Sequence, residues 1–234
     1  MQYHGRGKEV TQLKDTKQLI VKFTDEATAF HDVKRAIIPG KGAVINAISI
    51  HLYEFLEKKG IPTHFIQKIN SCEHLCKTSS AIPLNVVVRN VASGSMAKRL
   101  GVKEGQPLLQ PVYEIFYKDS ELSHPLINKD HALALGISSE EDLTTIREMA
   151  LNINEILIQY FKSIDIKLLD FKIEFGKDEN GNIILTEEIS PDKSRMCDII
   201  TGEHLDKDHF SRDLGDVLQA YEKILTRLIT KESA

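Results

Sequence analysis

Apolar residues recur along this chain in two periods, and the changes between them mark out its elements. Gln18-Leu-Ile-Val-Lys-Phe23 is short, β-rich and bounded by turn formers, so residues 3–23 read as strand, polar turn, strand, with Gly5 and Gly7 just before the first strand. Past the breaker cluster IPGKG at 38–42, Ile45, Ile48, Leu52, Phe55 and Leu56 fall at helical spacing until Gly60 and Pro62 stop them. Residues 63–69 and 84–91 are extended apolar runs, and the polar Lys77-Thr-Ser-Ser80 between them divides the chain into 1–80 and 81–234. Residues 111–118 predict another strand. The clearest helix opens with a capping box from Ser138 to Glu141 and carries Leu143, Ile146, Ala150, Ile153, Leu157 and Phe161 as one apolar stripe, which is core rather than a cofactor-binding face. A last helix carries Leu214, Val217, Leu218, Tyr221, Leu225 and Leu228. Strands interleaved with three substantial helices predict an α+β fold, mostly antiparallel, with helices covering the sheet faces.

The most informative stretch is 166–189, two extended runs around Asn180-Gly181. In LLDFKIEFG the side chains alternate, so Leu169, Phe171, Ile173 and Phe175 face one way and Asp170, Lys172 and Glu174 the other. A two-residue turn at Asn180-Gly181 would pair Glu179 with Asn182 and place Glu174 directly opposite Glu187. Opposed carboxylates on a strand pair are destabilising unless a cation lies between them. Mg²⁺ takes such oxygen ligands together with substrate phosphates, and Lys172 stands beside them. The competing reading is a solvated charged face with Lys172 between the acids.

Composition narrows the classes. The 234 residues are 41% hydrophobic, 27% charged and 6% aromatic, the profile of a globular protein rather than a disordered or fibrous one. Thirty Lys+Arg against 34 Asp+Glu leave a net charge of −4, so no whole-surface basic field for nucleic acid or anionic membrane exists and any anion site is local. Three cysteines argue for reduced thiols, and the polar start MQYHGRGKEV and the lack of a spanning apolar run point to a cytoplasmic protein.

Local anion sites are offered by basic residues at turns. Arg89 precedes the small-residue turn Ala92-Ser93-Gly94-Ser95, whose N–H groups and Ser95 hydroxyl can meet a phosphate that Arg89 also binds. Ser190-Pro191-Asp192-Lys193-Ser194-Arg195 follows the acidic run and is a second candidate. Each has a plainer reading, as a surface ion pair and a turn initiator. Gly5-Arg6-Gly7-Lys8 is neither a Walker A loop nor a dinucleotide fingerprint, although it can cover phosphates. Cys72 and Cys76 lack a second pair and the nine histidines lack an HExxH spacing, so packed or solvated side chains are the expectation there.

IPLNVVVRNVASGSMAKRLG, LLDFKIEFG and EEISPDKSRMCD, with YHGRGK, DEATAF, GKG, GIPTHF, PLIN and LDKDHFSRDLG, strongly resemble the SAICAR synthetases of purine biosynthesis, over about residues 3–228. The resemblance implies an ATP- and Mg²⁺-dependent ligase that condenses L-aspartate with carboxyaminoimidazole ribonucleotide and releases ADP and phosphate. It also implies a small N-terminal kinase-like nucleotide lobe on a larger antiparallel-sheet domain. Residue by residue, it puts Arg89, Ser95 and Arg195 at the ribonucleotide phosphate, with Ser190 and Asp192 also binding substrate, and Asp170 and Lys172 at the imidazole carboxylate as the catalytic pair. Glu174 and Glu187 would take the metal and ATP, Arg6 and Lys8 would lie over the ATP phosphates, and Lys77 to Ala81 would border the adenine. A homodimer is left open, and neither nucleic acid nor membrane is implied as a partner. The chain departs from the family pattern in having Glu187 for an Asp, Arg6 for a Lys, Asn85 for a Glu, Ser93 for an Ala or Thr, Cys197 for a Trp, Ser211 for an Arg and His124 for an Asp. A kinase-like phosphotransferase and a catalytically silent nucleotide-binding regulator are the alternatives.

Overall fold

The computed structural model describes residues 2–5, 7–29, 33–212 and 214–232. The N-terminal sheet is antiparallel in the order β1 (Gln2–Gly5), β2 (Lys8–Gln12), β3 (Gln18–Phe23), β7 (Glu73–Lys77), β6 (Phe65–Lys68). A ribbon of β4 (Glu26–Ala29) and β5 (Lys34–Ile37) follows β3 and leads into α1 (Lys41–Lys58), which packs on β3, β6 and β7. The stretch 3–23 thus holds three strands rather than two. Gly5 ends β1 and Gly7 lies in the β1–β2 turn, not ahead of the first strand. The extended run 63–69 shrinks to Phe65–Lys68, and its polar partner β7 carried no apolar signal to predict it.

After Lys77 the chain crosses to β8 (Ser80–Ala81) and then to β9 (Leu84–Val91), the centre of a second antiparallel sheet. Its order is β11 (Leu126–Ile127), β10 (Pro107–Tyr117), β9, β12 (Ile166–Ile173), β15 (Ser194–Asp198). The short helices α2 (Gly94–Leu100) and α3 (Lys129–Ala134) lie in its connections, and α4 (Glu140–Lys162) packs its apolar stripe on β12, β9 and β10. Leu143, Ile146, Ala150, Ile153, Leu157 and Phe161 are all buried, as their spacing predicts. The N-cap is Ser139, one residue later than predicted, its side chain accepting from the Asp142 N–H. β13 (Phe175–Lys177) pairs with β14 (Ile183–Leu185) and β8, and the chain closes with α5 (Asp208–Ser211) and α6 (Val217–Glu232), which packs on α1. Leu214 lies outside that last helix and is exposed. Buried residues from both large sheets and all three long helices form one hydrophobic cluster, including Phe23, Ile48, Val88, Phe171, Leu157 and Ile224.

The 166–189 hairpin differs from expectation in register. Phe175 pairs with Leu185 and Gly176 with Ile184, so Glu174 faces Thr186, whose N–H donates to the Glu174 carbonyl (3.0 Å), and Glu187 is one residue further on. Asp178 is the cause. Its carboxylate accepts from the N–H groups of Asn180 (2.8 Å) and Asn182 (2.9 Å), enclosing a three-residue loop of Glu179, Asn180 and Gly181 in place of a two-residue turn. Gly181, at φ 83°, supplies the left-handed residue such a loop needs. The extended run also breaks at Glu174, between β12 and β13, and its return strand stops at Leu185, so Glu187 and Glu188 sit on irregular chain.

Candidate active site

Strand register assembles the site. On β9 and β12, Val86, Val88, Phe171 and Ile173 face the core with essentially no exposure, leaving Asn85, Arg89, Asp170 and Lys172 to the opposite face. Arg89 pairs with Asp170 across β9 and β12, and Asp170 with Arg195 across β12 and β15, so three neighbouring strands set a carboxylate between two guanidinium groups. Arg89 donates to Asp170 (2.9 Å), to Glu114 (2.7 Å) and to the Ser95 hydroxyl (3.2 Å). Arg195 donates to both Asp170 oxygens (3.2 and 3.1 Å), and the Ser93 hydroxyl donates to the same carboxylate. Ser93, absent from the expected site, takes its part through that bond. Arg99 also reaches Glu114, and Lys207 lies beside Arg195, where burial and that positive neighbour lower its pKa to about 8. Gly94 touches this group: a Cβ there, at φ 52°, would lie 2.8 and 2.9 Å from the Arg195 guanidinium nitrogens.

Along the same face of β12 the charges continue into a glutamate–lysine cluster. Lys172 donates to Asn85 (2.9 Å) and Glu174 (2.6 Å), and Lys118 donates to the other Glu174 oxygen. Lys8 of β2 reaches across to Glu187 (2.8 Å) and Glu188 (2.6 Å), and Lys193 pairs with Glu187 (2.9 Å). Burial alone would push the Glu187 carboxyl up, but Lys193, Lys8 and Lys172 outweigh it and hold its pKa well below the carboxylate range. Glu188 is raised to about 7 by burial and the charge of Glu187. Burial works against the charge on Lys8, yet the two glutamates hold that charge above the usual lysine range; for Lys172 burial prevails and its pKa falls. The donors offered here are carboxylate oxygens of Glu174, Glu187 and Glu188, hard ligands that suit Mg²⁺ and not a soft ion.

Of the remaining predicted residues, Asp192 accepts from Lys41 and from the Tyr221 hydroxyl (2.7 Å), and Ser190 is fully buried, its hydroxyl without a hydrogen-bond partner among the described residues. Lys77 and Ala81 are exposed at the crossing between sheets, with Ala81 paired to Gly176. Arg6 lies outside the described residues. Glu114, Lys118, Glu188 and Lys207 were not singled out by sequence reasoning, because their roles depend on which strands and loops become neighbours. His64, His74 and Cys76 also come together, from residues with no recognisable spacing.

The sequence profile of the SAICAR synthetase family matches residues 1–228. The chain belongs to the SAICAR synthetase family. It is 50% identical over 228 residues to the phosphoribosylaminoimidazole-succinocarboxamide synthase of Clostridium kluyveri, covering 97% of each chain. The Deinococcus radiodurans synthase of the same description is 49% identical over 232 residues, 99% of this chain and 98% of that one. Among solved structures, the Ehrlichia chaffeensis synthase superposes with a TM-score of 0.94 at 41% identity, with 97% of each chain covered. A SAICAR synthetase (Type-2) in complex with ADP superposes equally well, TM-score 0.94 at 44% identity and 97% coverage of each. As a SAICAR synthetase the chain is an ATP-dependent carbon–nitrogen ligase of purine biosynthesis, condensing L-aspartate with carboxyaminoimidazole ribonucleotide. No described helix is long and apolar enough to cross a membrane.

Proposed function

We propose that the two charge clusters joined by β12 divide that reaction between them, the arginine pair holding the ribonucleotide and the glutamate–lysine cluster holding ATP. The observation that carries this reading is the line Asp170–Lys172–Glu174 on one face, with Arg89 and Arg195 at one end and Lys8, Lys193 and Glu187 at the other. A phosphate set against Arg89, Arg195 and the Ser95 hydroxyl would find donors already oriented by Asp170 and Glu114, so little ordering is left for binding. Asp170, expected beside Lys172 as a catalytic residue, has its carboxylate taken up by Arg89, Arg195 and Ser93, and would instead be a positioning residue for both guanidinium groups. Lys172, whose pKa burial lowers, would face the imidazole carboxylate between the two sites. Asp192 and Ser190 would border the substrate from the turn that carries Lys193.

Glu174 and Glu187 would hold Mg²⁺, which would supply, when bound, neutralisation of the charge on the ATP phosphates. Lys8 and Lys193, now paired to the glutamates, would turn to those phosphates, with Arg6 above them and residues 77–81 beside the adenine. The ribonucleotide carboxylate oxygen forms a bond to the γ-phosphorus as the bond to ADP breaks. The aspartate amine then displaces phosphate from the acyl carbon, losing a proton as the amide forms. Residues 1–80 would cover the nucleotide and 81–234 carry the substrate and metal sites, in a cytoplasmic enzyme whose assembly as a homodimer sedimentation can check. The test follows ADP and phosphate release from ATP and carboxyaminoimidazole ribonucleotide, with and without L-aspartate. Phosphate release that requires aspartate supports the ligase reading. A phosphorylated product released over many turnovers without it, beyond one enzyme-bound acyl phosphate per site, would mean a phosphotransferase, and nucleotide binding without ADP formation a silent regulator.

A further inference from the structure

Among the described residues, outside the cleft's carboxylates, a buried group of nitrogen and sulfur atoms has no role in the ligase reaction. A ring nitrogen of His64, a ring nitrogen of His74 and Sγ of Cys76 lie within 4.8 Å of one another, and all three residues are buried. β7 contributes His74 and Cys76, two residues apart, and the chain just before β6 contributes His64, whose carbonyl accepts from the Lys77 N–H (2.7 Å). α1 closes over them with Tyr53, whose ring lies edge-on to both imidazoles.

The hydrogen bonds fix the state of His74. The Asn46 amide nitrogen donates to the carbonyls of Asn70 (3.2 Å) and Ser71 (3.0 Å), so its oxygen is the atom that meets His74 Nδ1 at 2.7 Å. Nδ1 must then carry the proton, and Nε2 keeps a bare lone pair. That Nε2 is buried and no hydrogen-bond donor of the described residues reaches it. A histidine with one nitrogen anchored to a carbonyl-type acceptor and the other free has the arrangement of a metal ligand with its outer support in place. His64 is held in place by its Nε2, 3.2 Å from the Tyr53 hydroxyl, and burial keeps both imidazoles neutral, the form that ligates.

We infer that His64, His74 and Cys76 form a site for a borderline-soft divalent transition metal, Zn²⁺ in the first instance, on the inner side of the N-terminal sheet. Two imidazoles and a thiolate are the donor set for such an ion and not for Mg²⁺. Metal binding would displace the Cys76 proton, which burial otherwise holds firmly on the thiol. The bound ion would tie β6 to β7 behind Lys8, whose charge reaches both histidines, so it would brace the lobe that carries a cleft lysine.

The test uses the full chain with Cys72→Ser and Cys197→Ser, leaving Cys76 as its single thiol. Titration with Co²⁺ should give one equivalent bound with a thiolate-to-cobalt charge-transfer band, bleached by one equivalent of Zn²⁺. Cobalt held by the cleft glutamates gives no such band, which separates the two sites. Adding Cys76→Ser should abolish the band while circular dichroism shows the fold retained, and Asn46→Ala should weaken binding about 10–100-fold. Zn²⁺ should raise the melting temperature of the single-thiol protein and leave that of its Cys76→Ser derivative unmoved. No thiolate band with Co²⁺, or a band that survives Cys76→Ser, would overturn the assignment.

Discussion

At the scale of single residues, Asp170 determines what either arginine can reveal. Arg89 is 3% exposed and bonded to both Asp170 and Glu114, so Arg89→Ala removes one of two guanidinium partners from each buried carboxylate, leaving Arg195 on Asp170 and Arg99 on Glu114, a loss of about 1.5–3 kcal/mol in stability. Its weaker ribonucleotide binding would be entangled with partial unfolding. Gly94→Ala is the sharper probe, because an added Cβ displaces the Arg195 guanidinium and adds only about 1–2 kcal/mol of left-handed strain. Steady-state kinetics should show the ribonucleotide KM raised about tenfold or more with the ATP KM nearly constant; equal rises would detach Arg195 from the ribonucleotide. Glu174→Ala should abolish turnover while calorimetry still registers ribonucleotide binding, and full activity in that variant would remove Glu174 from the metal site. Strand alternation makes Asp170, Lys172 and Glu174 legible in the sequence, since two-residue periodicity alone puts them on one face. It could not reveal Glu114 on β10, or Lys118, which arrives from the loop after it, because those partners depend on strand order.

At the scale of elements, local side chains decide where regular structure stops. The Asp178 carboxylate moves the hairpin register by one residue, an effect invisible to turn rules that weigh only Asn180-Gly181. A similar carboxylate secures the C-terminal helix. Asp198, at the end of β15, accepts from the N–H groups of Thr201 (2.7 Å) and Ile200 (2.8 Å) and is bonded by Arg227 of α6. Those bonds, the Thr201 amide foremost, hold its pKa well below the usual carboxylate value. A depressed acid contributes stability above its unfolded pKa of 3.8 and loses it as the pH falls toward the folded value. Asp198→Asn should therefore lower stability by about 1.5–3 kcal/mol at pH 7 in urea unfolding. The gap should narrow by about 1 kcal/mol at pH 3, where the unfolded carboxyl is protonated. A gap independent of pH would assign the effect to packing.

At the scale of the whole molecule, the α+β class and the helical covers were readable from hydrophobic period, whereas the sheet orders were not, because β3 pairs with β7 across some fifty residues with no local signal. That long-range pairing, with the bonds of Pro62 and His64 to Leu185, sets Lys8 against Glu187 and Glu188, and so shapes the ligand response. Without nucleotide, Glu174, Glu187 and Glu188 are already neutralised by Lys8, Lys118, Lys172 and Lys193. A divalent ion arriving alone must displace ammonium groups from the carboxylates, so its binding is opposed by the ion pairs it breaks. When ATP comes with it, the phosphates take up the displaced lysines and both charges are satisfied together. Thermal melts should accordingly move little with millimolar Mg²⁺ alone. ATP with Mg²⁺ at about 100 times its Kd should add about 2.7 kcal/mol, or roughly 5–10 °C in Tm for a chain of this size. Lys8→Met frees the glutamates from one ammonium group, so Mg²⁺ alone should stabilise that variant more than the parent protein. If Mg²⁺ alone stabilises the parent as much as Mg²⁺ with ATP does, the lysines are not competing for the glutamates and the cluster is not the nucleotide site.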